Sequence, residues 1–261
     1  MKTNKPKNSK FITSFARGLS ILEAFDPSHP VKSIADLSRG TGLSGSTVYR
    51  MLYTLRSLGY VIPSEKEKGY SLGPKVLSLG YSVLSSLELK EIAEPYLTAL
   101  HNKVSESVNL AVLDEWQLVF IERMKSSHVL NINFQVGTRL ELYNNAAGQV
   151  LGAYQDSEWF IRYVIKYLEQ LKEAKPYWEN NGEKLQKIFC EIRSKNFAVE
   201  DEEFMPGLRA IAAPVRNNSG RVIGAITVAV HSCMYSIDRL KRQFLRLLMK
   251  TAENISKASG Y

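Results

Sequence analysis

The sequence predicts an α+β protein in two parts: an N-terminal winged helix-turn-helix, then a domain in which helices flank an antiparallel sheet. Three observations predict it. Between Ser33 and Leu58 two helical patterns are separated by a glycine-containing turn. In the second half, apolar runs of strand length alternate with short polar turns. Charge is unevenly placed: residues 1–87 hold 12 Lys/Arg against 5 Asp/Glu, and residues 88–261 hold 22 against 21, so nearly all of the net +8 sits in the first third. A basic first domain on a near-neutral second one points to a polyanion as partner of the first. A solvated lysine-rich tail is the alternative, since Lys2, Lys5, Lys7 and Lys10 supply four of those charges.

The first domain is expected over residues 11–73. A helix from Ser14 to Phe25 offers Phe15, Leu19, Leu22 and Phe25 as one wall of a small core. Ser33 with Asp36 three residues on has the form of a capping box, Ile34 and Leu37 follow helical spacing, and Gly40 stands where a C-cap glycine belongs. Ser44 suits an N-cap, after which Val48, Met51, Leu52, Leu55 and Leu58 share one helix face. Gly59 ends that helix. Tyr60–Ile62 and Tyr70–Leu72 then read as a β-hairpin wing around a charged tip, Ser64 to Gly69. Residues 74–87 read as a linker helix and 88–261 as the second domain.

Gly40-x-Gly42-x-x-Gly45 also has the spacing of a dinucleotide-binding loop, and Glu65 lies where a ribose-binding acid is sought. Such a loop needs a buried strand immediately before the first glycine. The preceding VKSIADLSR has helical spacing, and Glu65 falls in the charge run Glu65-Lys66-Glu67-Lys68. The nucleotide reading fails on context. A helix, a turn and a second helix is instead the arrangement that places a helix in the DNA major groove. The exposed positions Ser44, Ser46, Thr47, Tyr49, Arg50 and Tyr53 are the candidate DNA contacts. Short hydroxyls permit close approach to phosphates or base edges, and Arg50 can fork onto guanine or onto a phosphate. Arg50 and Tyr53 solvating the face or packing on the wing is the bland alternative. Lys66 and Lys68 at the wing tip suit phosphates.

In the second domain, Val108–Leu113, Leu118–Arg123, Val129–Phe134, Arg209–Arg216 and Arg221–Val230 are the expected strands, with Asn217-Asn218-Ser219-Gly220 as a hairpin turn. Helices are expected at Ala147–Gln155, Ser157–Leu171, Lys184–Ser194 and Arg239–Lys257. No metal or cofactor is expected, because Cys190 and Cys233 stand far apart and His29, His101, His128 and His231 share no motif. His231 and Cys233 near a strand end read as packing or loop residues. The apolar run Val222–Val230 is too short to span a bilayer, and the basic N-terminus lacks the apolar core of a secretory signal. No membrane association and a cytoplasmic location are therefore expected.

The run SFARGLSILEAFDPSHPVKSIADLSRGTGLSGSTVYRMLYTLRSLGYVIPSEKEKGYSLGPKVLSLG resembles the DNA-binding half of IclR-type bacterial transcriptional regulators. VGTRLELYNNAAGQVLGAY (136–154) and NFAVEDEEFMPGLRAIAAPVRNNSGRVIGAITVAV (196–230) resemble the two motif blocks of that family's effector domain, and ESVNLAVLD (106–114) and GLRAIAAPVRN (207–217) are most similar to the branch regulating aromatic-acid breakdown. The resemblance implies a GAF-like effector domain and a small-carboxylate or aromatic-acid effector held at one end of the sheet. It places effector contacts at Tyr143, Asn145, Ala146 and Ala147, with backbone N–H groups at the helix start receiving a carboxylate. An Asp, a Cys and two Ser of the oxoacid-sensing members become Glu200, Ala210, Thr227 and Ala229 here. Losing the thiol and one hydroxyl makes the pocket wider and less polar, which favours an aromatic or longer organic acid. Arg139 is read as pairing either with the ligand or with a nearby Glu, and Glu200 either as a pocket acid or as part of a solvated acidic run that caps or pairs with Arg209.

The expectation is thus a ligand-responsive regulator of a catabolic operon and not an enzyme. It would bind a double-stranded operator as a homodimer, or as the dimer of dimers common in the family. A DNA-tethered enzyme and a DNA-binding protein without sequence preference are the alternatives. The first lacks a nucleophile elbow, metal spacing or phosphate loop.

Overall fold

The computed structural model describes residues 10–26, 29–65, 68–126 and 134–261. Two compact units divide it, residues 1–86 and 87–261.

The first unit opens with α1 (Thr13–Glu23), α2 (Ile34–Thr41) and α3 (Gly45–Ser57), followed by β1 (Val61–Pro63), β2 (Tyr70–Leu72) and α4 (Lys75–Ser86). The capping box on α2 forms: Ser33 accepts the N–H of Asp36, whose carboxylate takes the N–H of Ser33. The C-cap is Gly42 rather than Gly40. Helical bonding runs on through Thr41, and Gly42 at φ 69° takes the left-handed turn while its N–H reaches Ser38 O at 2.9 Å. Ile21, Leu37, Val48, Leu52, Leu55 and Val61 make the small core. Fully burying each Leu or Val contributes roughly 1.5–3 kcal/mol.

That core also corrects the reading of α1. Phe15 and Leu19 are exposed, and the helix instead turns Ile21 inward with Leu22, Ala24 and Phe25 at its margin. Leu58, at the end of α3, is exposed as well. The wing pairs as expected, and the outer edge of β2 is closed by Lys32, which exchanges two backbone hydrogen bonds with Tyr70 at 2.9 Å each.

The second unit contains α5 (Glu88–Val104), β3 (Ser107–Asp114), β4 (Gln117–Met124), β5 (Arg139–Glu141), α6 (Ala146–Ala153), α7 (Ser157–Arg162), α8 (Lys175–Lys195), β6 (Ala198–Asp201), β7 (Leu208–Arg216), β8 (Val222–His231), α9 (Ile237–Leu240) and α10 (Arg246–Ala258). The six strands form one antiparallel sheet in the order β5-β4-β3-β8-β7-β6. Helices α5 and α10 pack on one face; α6 lies on the other and is backed by α8. The larger core cluster sits on the α6 side, with Leu118, Leu142, Val150, Leu168 and Leu185 fully buried.

Several elements differ from expectation. The strand read at Val129–Phe134 lies outside the described residues except for Phe134, which is not in a strand; β5 takes the sheet edge. The helix read as Ser157–Leu171 is broken: α7 gives way to a π-helical turn at Tyr163–Tyr167 and a 3-10 turn at Leu168–Gln170. α8 starts well before Lys184 but is interrupted at residues 179–182, where Asn180, Asn181 and Gly182 take left-handed conformations.

Candidate functional site

Each unit carries one candidate surface. On α3 the Ser44 hydroxyl accepts the Thr47 N–H at 3.4 Å and lies 2.9 Å from Thr47 Oγ1 and 3.1 Å from Ser46 Oγ, which fixes the first turn. With Val48, Leu52 and Leu55 turned into the core, Ser46, Tyr49, Arg50 and Tyr53 are left on the outer face; Tyr49 is 55% and Tyr53 67% exposed. Thr47 is half-buried at the edge of that face. Arg56 is exposed one turn beyond Tyr53, a cation the sequence reading passed over. Lys68 is exposed on the wing; Lys66 lies outside the described residues.

The second surface is a cavity of about 40 Å³ between the sheet and the N-terminal end of α6. Sheet register explains its floor. Ser107, Ala229, Ala210 and Glu200 stand opposite one another across β3, β8, β7 and β6. The neighbouring row is Arg123, Asn109, Thr227 and Ala212, running from β4 to β7. Directly opposed residues share a face. Alanines therefore fill the middle of the first row, between Ser107 and Glu200, whereas the middle of the second is the polar pair Asn109 and Thr227. Phe120, Phe134, Leu140, Phe204 and Leu208 complete the wall, and Phe134 packs against both Phe120 (5.5 Å) and Phe204 (5.6 Å).

Of the expected effector residues, Asn145, Ala146, Ala147, Glu200, Ala210, Thr227 and Ala229 line this cavity. Tyr143 is outside it, buried against Tyr177 with ring centroids 4.8 Å apart. Asn145 caps α6: its Oδ1 accepts the Gly148 N–H at 2.8 Å and its Nδ2 donates to Glu141 O. Gly148 lets this turn close against the preceding chain, since a Cβ there would stand 2.5 Å from Leu142 Cα.

Glu200 is not part of a solvated run. It is 3% exposed, and Arg209 pairs with Asp201 and Glu202 instead. Strand alternation on β6 turns Glu200 inward and Asp201 outward. Burial pushes the Glu200 carboxyl up to about 8, against the opposing pull of the Phe204 and Ala146 N–H groups. The Ala146 N–H therefore already faces a carboxyl of the protein itself. Arg139 sits outside the cavity, bound to Asp114 (2.6 Å) and Gln117 (3.0 Å) rather than to a Glu.

Four polar lining residues were missed: Ser107, Asn109, Arg123 and, through its backbone, Phe204. Arg123 stacks its guanidinium on Phe134 at 5.5 Å, and burial lowers its pKa from the usual arginine range. Asn109 donates to Thr227 Oγ1 at 2.9 Å. A polar residue inside an otherwise apolar strand, as in VNLAV, was the available signal. Among the described residues no cluster of metal-ligating side chains occurs, and none of their helices is long and apolar enough to cross a membrane.

A winged helix-turn-helix joined in one chain to a domain with a cavity lined by apolar and polar side chains defines a DNA-binding regulator that senses a small molecule. The family described as bacterial transcriptional regulator IclR C-terminal matches residues 81–257, and the IclR helix-turn-helix domain matches residues 14–62. The chain belongs to the IclR family of bacterial transcriptional regulators; it is a ligand-responsive transcription factor and not an enzyme. It is 32% identical over 246 residues to the Pca regulon regulatory protein of Pseudomonas putida, covering 94% of this chain and 83% of that one. The crystal structure of a transcriptional regulator from Rhodococcus sp. RHA1 is similar at 32% identity and TM-score 0.78, over 95% of this chain and 98% of that one. An IclR homologue of Microbacterium hydrocarbonoxydans, crystallised in complex with 4-hydroxybenzoate, shares the fold at 21% identity and TM-score 0.75, over 94% and 98%.

Proposed function

We propose that this regulator controls a catabolic operon for aromatic or related organic acids, and that its effector is such an acid held in the cavity over β3, β7 and β8. The observation that carries the reading is the distribution of polarity. A cationic Arg123 on β4 and a carboxyl on Glu200 of β6, with three strands between them, flank a mostly apolar lining of Ala210, Ala229 and aromatic walls in which Asn109 and Thr227 are a polar pair. A mostly apolar lining with aromatic walls suits a ring, with its carboxylate toward the cation. The free volume of about 40 Å³ holds a few waters, so a ring enters only by displacing lining side chains. The Pca regulator and the 4-hydroxybenzoate complex among the relatives support the same class.

DNA is bound through α3, with Ser44, Ser46, Thr47, Tyr49, Arg50 and Tyr53 at the groove and Lys66 and Lys68 on phosphates. The working form is a homodimer, or a dimer of dimers, on a palindromic operator whose half-sites are spaced by about one duplex turn of 10 base pairs. Exposed Phe11, Ile12, Phe15 and Leu19 at and before α1 support association of copies through this unit, because water-facing apolar stripes of that size are costly on a monomer. The protein acts in the cytoplasm. A thermal-shift panel of glyoxylate, pyruvate and hydroxybenzoates tests the effector class. A ligand stabilises by mass action, so hydroxybenzoates raise the melting temperature and the small oxoacids do not. Stabilisation by the small oxoacids alone overturns the reading.

A further inference from the structure

The cavity floor holds one polar group that nothing in the protein accounts for. Asn109 is 3% exposed; its Nδ2 is spent on Thr227 Oγ1, and its Oδ1 has no hydrogen-bond partner among the described residues. Thr227, itself 4% exposed, holds the amide in place from the adjacent strand. Turning the amide over does not remove the problem. The Thr227 hydroxyl both donates and accepts, so Nδ2 would simply take the unpartnered position. One end of a buried amide faces the cavity in either case, and buried amides are ordinarily satisfied. Arg123, its cross-strand neighbour on β4, and Ser107, two positions back on β3, line the same cavity, yet neither is hydrogen-bonded to the Asn109 amide oxygen.

The geometry points to Asn109 as the residue that selects a hydroxylated acid over its unsubstituted analogue, by hydrogen bonding the effector's hydroxyl. This rests on the reading of the cavity as the effector site. A hydroxyl donates and accepts, so it satisfies either end of the amide; an aromatic C–H satisfies neither. A site that hydrogen-bonds a ligand hydroxyl rejects the analogue lacking it far more strongly than an apolar pocket rejects a change of shape, because its own polar group is stranded. Thr227 acts as the positioning residue, keeping the amide pointed into the cavity. Glu200, buried on β6, brings a further polar group to the same lining.

The test is calorimetric titration of the full chain with benzoate, 3-hydroxybenzoate and 4-hydroxybenzoate, for the wild type and Asn109→Leu. The wild type is expected to bind at least one hydroxybenzoate about tenfold or more tighter than benzoate. Asn109→Leu keeps benzoate binding and loses that preference. Asn109→Ala, which removes the amide without adding bulk, gives the same collapse and serves if the leucine does not fold. An undiminished preference for the hydroxylated acid in either folded variant overturns the assignment. So does a wild type that binds benzoate and the hydroxybenzoates equally. Binding of none of the three acids overturns the aromatic-acid reading of the cavity itself, and the role of Asn109 falls with it.

Discussion

Glu200 Oε1 accepts the backbone N–H of Phe204 at 3.3 Å, four residues on, from inside a cavity wall where the side chain is 3% exposed. That hydrogen bond and the Ala146 N–H together do not offset the loss of water, and burial holds the carboxyl at about 8. In the unfolded chain the same group titrates near its ordinary 4.5. Between those values the folded state binds more protons than the unfolded state, so stability falls as pH rises through this window, by up to about 1.4 kcal/mol per pH unit. Glu200→Gln keeps the shape without the proton. The difference in unfolding free energy between wild type and Glu200→Gln should therefore grow in the variant's favour from about pH 5 to pH 8, measured by urea denaturation. A difference that does not change with pH refutes the buried neutral acid.

Ser44 predicts a purely local loss. Its hydroxyl takes the Thr47 N–H at the start of α3, and without it that donor is left to solvent. Ser44→Ala should cost about 1 kcal/mol of stability in the N-terminal unit, and Ser44→Gly only a few tenths. Hydrogen exchange on α3 amides against those of β7 separates this from a global effect.

Gly148→Ala tests the closure of α6 on the chain before it. The added Cβ would meet Leu142 Cα at 2.5 Å and Leu142 O at 2.7 Å, and both belong to the backbone, which cannot swing aside as a side chain would. A cost of about 1–3 kcal/mol is expected. Because Asn145 caps the same turn, effector affinity should fall together with the melting temperature.

How much of this was legible beforehand follows from which forces act locally. The capping box of Ser33 and Asp36, the Ser44 cap and the wing were readable because each is decided by residues within a few positions of one another. Gly40 and Gly42 were confused since either satisfies the composition of a C-cap, and only the extent of helical bonding distinguishes them. The inward side of α1 was misjudged because Phe15 and Leu19 are spaced as well as Ile21 for a core; what they face is set by packing. The cavity residues carried over by position all fell on its lining except Tyr143, whose place depends on Tyr177 from a distant helix. Asn109 offered one local signal, a polar residue inside the apolar strand VNLAV, but its place beside Arg123 and Thr227 is set by strand register, with β8 far away in sequence.

Arg123 predicts the charge requirement of the effector. If its guanidinium meets the ligand carboxylate, a charge-assisted hydrogen bond worth about 1.5–3 kcal/mol is made there. Arg123→Gln should weaken binding of a hydroxybenzoate about 10- to 100-fold while leaving the binding of its neutral methyl ester little changed. Equal losses for acid and ester would show that the arginine shapes the wall without reading charge.

The DNA face separates into two kinds of contact that salt distinguishes. Arg50 stands on the outer face of α3 between Ser46 and Tyr53, exposed, and a guanidinium can fork onto guanine O6 and N7 or onto a phosphate. Arg50→Ala should cost roughly 1–3 kcal/mol on the operator and little on random DNA, shrinking the ratio between them. Lys68, exposed on the wing, suits a phosphate. Lys68→Ala should weaken both DNAs alike and lower the slope of log affinity against log salt by about one, since one fewer counterion is released. Gel shifts across a salt series on the chain's own upstream DNA and on a scrambled duplex read both quantities. Should Arg50→Ala behave as Lys68→Ala does, losing affinity equally on the two DNAs with a shallower salt slope, then Arg50 grips the backbone and sequence is read elsewhere on α3.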